Sequence, residues 1–505
     1  METRRSFLRT AGGAALMAAA ADPIGALGAF ADCPPVTLTD SRLARFRASL
    51  AGQSILAGEP SYDAARLLFN RRFESHPLVI VRAADEIDVA RTIAFARENG
   101  LRLVPRSGGH SYIGASGCGG IVLDVSALDA VAPLGGAMFA IGAGTKLVRV
   151  YGELACNGGW TVPSGSCESV GFAGIALGGG FGYRQRSLGL TCDRVRAIRV
   201  VRADGTAVTA SPESEPDLFW AMRGGGGGSF GIATGFEVEA APLETVHVVG
   251  WRWPASSADD ALARMHALLG DGAVAPDTLP AVIFNINTAT ASPACLGILF
   301  STGTTAEIAA MRELLVGRGG VRALPGSDFA YDLASPACSP IEPRGSTLNK
   351  AKSSIVYAPP AADTGARIVE AMAARIADPA FALNEYASVN FLGLGGAVGE
   401  LAPEATAFPH RAALSEVQYL GYWSAPSAAK ERANLAWIRD MYAEVAPRLS
   451  LGGAGCYINY ADDDLAEHEW PTLYHGANYP RLQRVKQSVD PDDFFRGLQS
   501  VRLPG

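Results

Sequence analysis

At 505 residues, 48% of them hydrophobic and 18% charged, the chain is long enough for more than one domain and too apolar to be disordered. A net charge of −7, with no basic run beyond the N-terminus, excludes a nucleic-acid partner held through its phosphates and argues against an anionic membrane surface. The 58 glycines gather in short bursts, which marks places where backbone approaches something closely.

Residues 1–31 read as an export leader rather than as fold. Arg4-Arg5 opens a basic n-region, residues 11–21 are small and apolar, and Ala29-Phe30-Ala31 offers a cleavage site, the pattern of a twin-arginine signal. The apolar stretch is too short to span about 30 Å, so no membrane anchor is expected, and the mature chain is expected in the periplasm or outside the cell. An oxidising destination makes disulfides chemically reasonable, with Cys33 to Cys118 and Cys295 to Cys338 as candidates. No Cys/His spacing resembles a zinc site, and no metal is expected.

Beyond the leader, residues 62–73 have the spacing of a short amphipathic helix, and residues 78–81 form an apolar run typical of a buried strand. Asp85 is placed to cap a helix carrying Ile87, Ala90, Ile93 and Ala94, which Asn99-Gly100 ends. Strands are expected at 101–104, 121–125 and 139–142, with a glycine turn at 107–109 between the first two. Five consecutive glycines at 224–228 lie between packed-looking flanks, and a turn whose bare amides face a phosphate accounts for them better than a linker does. From 251 to about 449 the bursts thin out. Strands at 281–286 and 295–300 alternate with helices at 258–269, 305–316, 364–376 and 428–445, as in a sheet backed by helices. The fold class is therefore α+β.

Three segments carry the chemistry. Arg106-Ser107-Gly108-Gly109-His110-Ser111 follows a strand. Gly165-Ser166-Cys167 leads into Val170, Gly171, Gly174, Gly178 and Gly179. Tyr457-Ile458-Asn459-Tyr460 lies near the C-terminus. None is a phosphate-binding P-loop or a dinucleotide fingerprint. On residue chemistry alone, a lone histidine or cysteine is more often structural than functional.

The order and spacing of these segments resemble the berberine-bridge-enzyme-like branch of the vanillyl-alcohol-oxidase (PCMH-type) flavoproteins, across nearly all of the mature chain. The resemblance implies an FAD-binding domain in two parts (35–247 and a returning segment at 450–505) around an inserted substrate domain (248–449) of antiparallel sheet and helices. It implies bicovalent FAD, with His110 bonded to the flavin 8α-methyl and Cys167 to C6. Arg106, Ser107, Gly108, Gly109, Ser111, Gly165, Val170, Gly171, Gly174, Gly178, Gly179, Gly231, Ile232, Tyr457 and Asn459 are then expected around the cofactor. Val170 falls where the family's oxygen gate lies, and a valine there resembles the oxidases.

By the same resemblance, Tyr460 is the expected catalytic base. On a strand, Tyr457 and Asn459 would share the face turned to the cofactor. Glu416 is the reserve base, and Gln418, two residues on, shares its strand face. Phe181 stands where many relatives have Tyr, which removes a second hydroxyl. The expected activity is hydride removal from an alcohol, sugar or phenolic donor, with O2 reduced to H2O2 by a secreted protein whose oligomeric state stays open, a monomer being favoured. A dehydrogenase with another acceptor, a natural-product tailoring oxidase and a non-enzymic FAD-containing binding protein stay open as alternatives.

Overall fold

The computed structural model describes residues 40–287, 292–317, 321–324, 329–331, 347–378, 386–423 and 427–505. The leader at 1–31, Cys33 and Cys338 lie outside the described residues. Among the described residues no helix is long and apolar enough to cross a membrane.

The N-terminal part holds two sheets. Strands β1 (Gln53–Leu56), β2 (Val79–Arg82), β3 (Leu103–Arg106) and β4 (Ile121–Asp124) form the first, in the order β1-β2-β4-β3. β4 runs parallel to both of its neighbours, and the expected capped helix, Glu86–Glu98, lies between β2 and β3 in the chain. Asp85 accepts from the Asp88 backbone nitrogen at 2.8 Å, and Gly100, at φ +61°, turns the chain out of the helix toward β3. The second sheet is antiparallel. It takes β5 (Val131–Gly135), β6 (Met138–Gly142), β8 (Val195–Val201), β9 (Ala207–Ala210) and β10 (Ile232–Glu239) in the order β5-β6-β10-β8-β9. The short strands β7 (Trp160–Thr161) and β11 (Ala241–Pro242) pair with each other. One apolar core, including Val79, Ile93, Leu123, Phe172, Ile198 and Phe236, joins the two sheets and their helices.

The inserted part is one antiparallel sheet: β12 (Val246–Trp253), β13 (Thr278–Asn287), β14 (Ala294–Ser301), β15 (Arg322–Ala323), β16 (Phe329–Tyr331), β17 (Leu348–Val356), β18 (Tyr386–Gly393) and β19 (Ser415–Trp423). Its order is β15-β12-β14-β13-β18-β19-β17, with β16 also on β12. The four helices expected there appear as Ala258–Gly270, Thr305–Val316, Thr364–Ala377 and Ala428–Leu449. Helix-facing residues Val282, Phe284, Val389, Phe391 and Val417 are buried in a common core, so the alternate residues of each strand face the other way. The α+β expectation holds.

The helix expected at 62–73 is shorter than its pattern suggests. It spans Tyr62–Arg66, and Leu67 is already extended. Arg106 Nη1 takes the Ala65 carbonyl at 2.8 Å. Phe69 O and Arg71 N pair with Thr347 beside β17 at 2.8 and 2.7 Å, so tertiary contacts take this backbone out of helix.

The last segment returns to the N-terminal part. Lys486, fully buried on helix Tyr479–Val489, donates to Asp490 (2.6 Å), the Ser229 carbonyl (2.9 Å) and the Phe495 carbonyl (2.8 Å). A buried ammonium needs such partners to offset its lost hydration.

Candidate active site

A cavity of about 400 Å³ lies between the glycine loops of the N-terminal part and the non-helical face of the large sheet. Ser107 to Ser111, Gly165, Cys167, Val170, Gly171, Gly174, Gly231 and Ile232 line it on one side. Glu416 and Gln418 line it on the other, with Tyr457, Asn459 and Tyr460 from the returning segment. Three expected residues do not reach it: Arg106, Gly178 and Gly179.

The glycine wall is built by close approach. A Cβ added at Gly108 would sit 2.3 Å from the Gly171 nitrogen, and one at Gly171 would sit 2.4 Å from the Gly108 nitrogen. The two loops can therefore touch only as glycine on glycine. Ser107 Oγ ties the first loop to the Ala143 carbonyl at 2.7 Å, and the Leu147 nitrogen ties the second through the Val170 carbonyl at 3.0 Å. Gly174 lines the cavity without such a contact: among the described residues, nothing lies within 4 Å of a Cβ added there. Of the five-glycine run, Gly226 to Gly228 line the cavity, while Gly224 abuts Phe408 and Gly225 the Ala221 carbonyl.

Arg106 lies beneath its loop, 5% exposed, with Nη1 on the Ala65 carbonyl and Nε 3.9 Å from Asp124. It props the loop. Gly178 leaves room for Asn459, whose Oδ1 would be 2.1 Å from an added Cβ, and Gly179 lies under Phe408 and Tyr457. These two glycines admit the returning turn rather than touching a ligand.

His110 is held by two side chains. Its Nε2 is 2.9 Å from Ser169 Oγ, and its ring stacks on Phe69 at 4.1 Å. Burial, with the Lys146 ammonium nearby, pulls its pKa down to about 3, so the imidazole is neutral and nucleophilic at ordinary pH.

The segment expected as a strand at 457–460 is a turn instead. Ile458–Tyr460 form one turn of 3-10 helix, closed by Tyr460 N to the Tyr457 carbonyl at 2.9 Å. Strand alternation therefore does not apply, and all four residues from Tyr457 to Tyr460 line the cavity. The Tyr457 hydroxyl accepts from the Gly180 nitrogen (2.8 Å), the Phe181 nitrogen (3.3 Å) and Asn459 Nδ2 (2.8 Å). It is a structural pin. Phe181 packs on its ring at 4.0 Å.

On the sheet wall, Glu416 is 1% exposed, and neither carboxylate oxygen has a hydrogen-bond partner among the described residues. Burial pushes its pKa up to about 8. Burial also holds the Tyr460 phenol well above its ordinary value, with the Glu416 charge next in importance. Gln418 Nε2 donates to the Tyr112 hydroxyl at 3.0 Å, and the Tyr112 ring meets that of Tyr460 edge-on at 5.9 Å. Unpartnered buried carboxyls with displaced pKa values in a cleft are a mark of catalytic acid–base groups.

Sequence reasoning passed over Phe69, Tyr112 and Ser169. Tyr112 had a signal, since it directly follows the Gly-Gly-His-Ser run. Phe69 is 41 residues from His110 and Ser169 is 59 residues from it, so only the fold brings them together.

The FAD binding domain family model matches residues 77–211, and the berberine and berberine like model matches 456–502. The chain is 31% identical to an uncharacterized FAD-linked oxidoreductase of Bacillus subtilis (strain 168), over 90% of this chain and 98% of the relative. It is also 31% identical to the aclacinomycin-N/aclacinomycin-A oxidase of Streptomyces galilaeus, over 86% of this chain and 87% of that one. A solved chitooligosaccharide oxidase shares the fold, with a TM-score of 0.79 at 22% identity, covering 92% of this chain and 99% of the other.

Proposed function

Because the chain belongs to the berberine-bridge-enzyme-like family of FAD-linked oxidoreductases, we propose that it is an exported oxidase of an alcohol or sugar hemiacetal, with FAD bonded to both His110 and Cys167. Residues present fit the cofactor. A neutral imidazole and a thiol face one cavity, and its other N-terminal lining is mostly glycine backbone that can follow a flat ring and a pyrophosphate. When bound, FAD supplies the hydride acceptor and the route to oxygen.

The chain's own part is to place the donor and manage its hydroxyl proton. The observation that carries the reading is Glu416, buried in the cavity wall without a hydrogen-bond partner among the described residues and with its charge felt by Tyr460. It also reorders the expected roles. A carboxyl titrating near 8 matches the task of a base far better than a phenol held above its usual range of about 10. Glu416 takes the proton, the Tyr460 hydroxyl holds the donor oxygen, and Gln418 with Tyr112 fixes the neighbouring wall.

Anaerobic mixing with a panel of alcohols, sugars and phenols, followed by air, tests this. Bleaching of the yellow colour and one peroxide per donor are expected. A flavin that no donor bleaches would remove the enzymic reading, and bleaching without peroxide in air would make the protein a dehydrogenase. Export is tested by replacing Arg4 and Arg5 with Lys, which should retain the protein in the cytoplasm.

A further inference from the structure

Tyr460 is carried by a turn, Glu416 by a strand, and both are referenced to one neighbour, β17. This is the last strand of the large sheet, and only β19 pairs along its inner side. Its free edge is covered by the returning segment. Ile355 N donates to the Gly455 carbonyl (2.8 Å), Tyr457 N donates to Ser353 Oγ (2.9 Å), and the Cys456 thiol lies 3.1 Å from the Ser353 carbonyl. Ile355 is also the register partner of Glu416.

Beyond the turn the segment reaches the helix-packed face of the same strand. There Lys350 and Lys352, 1% and 4% exposed, meet Asp462, two residues after Tyr460, at 2.5 and 2.6 Å. Lys352 also meets Asp464 at 2.7 Å, and Lys350 meets Asp463. The three aspartates could be mistaken for a cation site, since their oxygens lie within 4.8 Å of one another. Four cations already answer them: the two lysines, Arg72 on Asp463 (3.3 Å) and Arg439 on Asp464 (2.6 Å). Buried ion pairs add little net stability, but they tolerate little displacement, because separating one strands a charge in the interior.

We propose that Lys350, Lys352 and Asp462 are positioning residues: a clamp on the edge strand that sets the register of Tyr460 against Glu416. The clamp holds the turn downstream of Tyr460, as the Tyr457 hydroxyl pins it upstream on Gly180. The proposal rests on the roles given above to Tyr460 and Glu416.

The test is flavin reduction by a saturating donor in holoenzyme whose flavin content and melting temperature are recorded. Lys352→Met is expected to slow reduction by about tenfold to a hundredfold, the scale of an ångström-sized misplacement, with KM within about threefold. Lys352→Arg should restore most of the rate. Placed on Tyr460→Phe, Lys352→Met should add no further loss, because the clamp acts through that side chain. A folded, flavin-loaded Lys352→Met with the parent rate, or a full additional loss in the double variant, would overturn the clamp. If Lys352→Met does not fold, Asp462→Asn, which removes the shared charge but keeps an oxygen that can accept from the lysines, is judged by the same outcomes. A Tyr460→Phe that reduces as fast as the parent would instead remove the site reading, and the clamp with it.

Discussion

The two walls of the cavity are built on opposite principles. On the N-terminal side, two loops meet glycine to glycine, and His110 is aimed by a hydroxyl and a ring. On the other side, strand register alone sets Glu416 opposite Ile355 and Leu392, with burial and, among the described residues, no hydrogen bond holding its carboxyl. The first wall is a scaffold in which added volume is costly. The second is an electrostatic device in which added or removed charge is costly. Substitutions that change only volume or only charge separate them.

The largest effect is expected from charge. Glu416→Gln is isosteric and should lower the rate of flavin reduction by about 10²- to 10⁴-fold, the usual range for a lost acid–base group. In the parent, that rate should climb with pH and level off above about 8, since the base works ionised. A stopped-flow pH series reads both, and a flat parent profile would count against Glu416.

Stability should move the same residue in the opposite sense. A free glutamate titrates near 4.5 and Glu416 near 8, so between these values the unfolded chain has lost a proton that the folded chain keeps. Stability therefore falls as pH rises from about 4.5 to about 8, by about 4 to 5 kcal/mol. Glu416→Gln removes that slope. Its melting temperature should exceed the parent's at pH 8 and match it near pH 4.5.

Volume is the test of the other wall. Gly108→Ala drives a Cβ into the Gly171 backbone and should cost about 1 to 3 kcal/mol together with most flavin loading. Gly152→Ala, on helix Leu147–Cys156 away from the cavity and with nothing within 4 Å of its Cβ among the described residues, should fold and load like the parent. Equal losses in the two variants, by thermal melts and the absorbance ratio of flavin to protein, would contradict the close-approach account. A smaller effect, about 1 kcal/mol, is expected from Ser169→Ala, which removes the hydrogen bond that orients His110. It should appear as a reduced fraction of flavin surviving denaturation in a Cys167→Ala background.

The glycine wall was the legible one. Gly108, His110, Cys167 and Gly171 lie in short local runs whose composition states their constraint. The sheet wall was legible only as alternation: Glu416 and Gln418 share a face in the sequence pattern as in the structure. That Glu416 would be left without a partner depends on strands more than twenty residues away. The turn at 457–460 was misjudged for the same reason. Its residues have strand propensity, but Gly180, Ser353 and Asn459 supply its hydrogen bonds. Residues 67–73 carry a helical pattern that Arg106 and Thr347 override. The lysine partners of Asp462 are 110 and 112 positions upstream, and no local rule reaches them.

The most direct measurement of the account is the fate of the flavin when the protein is precipitated with acid. The yellow chromophore should stay in the pellet for the parent, for His110→Ala and for Cys167→Ala, and pass to the supernatant only in the double variant. Free FAD in the supernatant of the parent protein would contradict the two-bond cofactor outright.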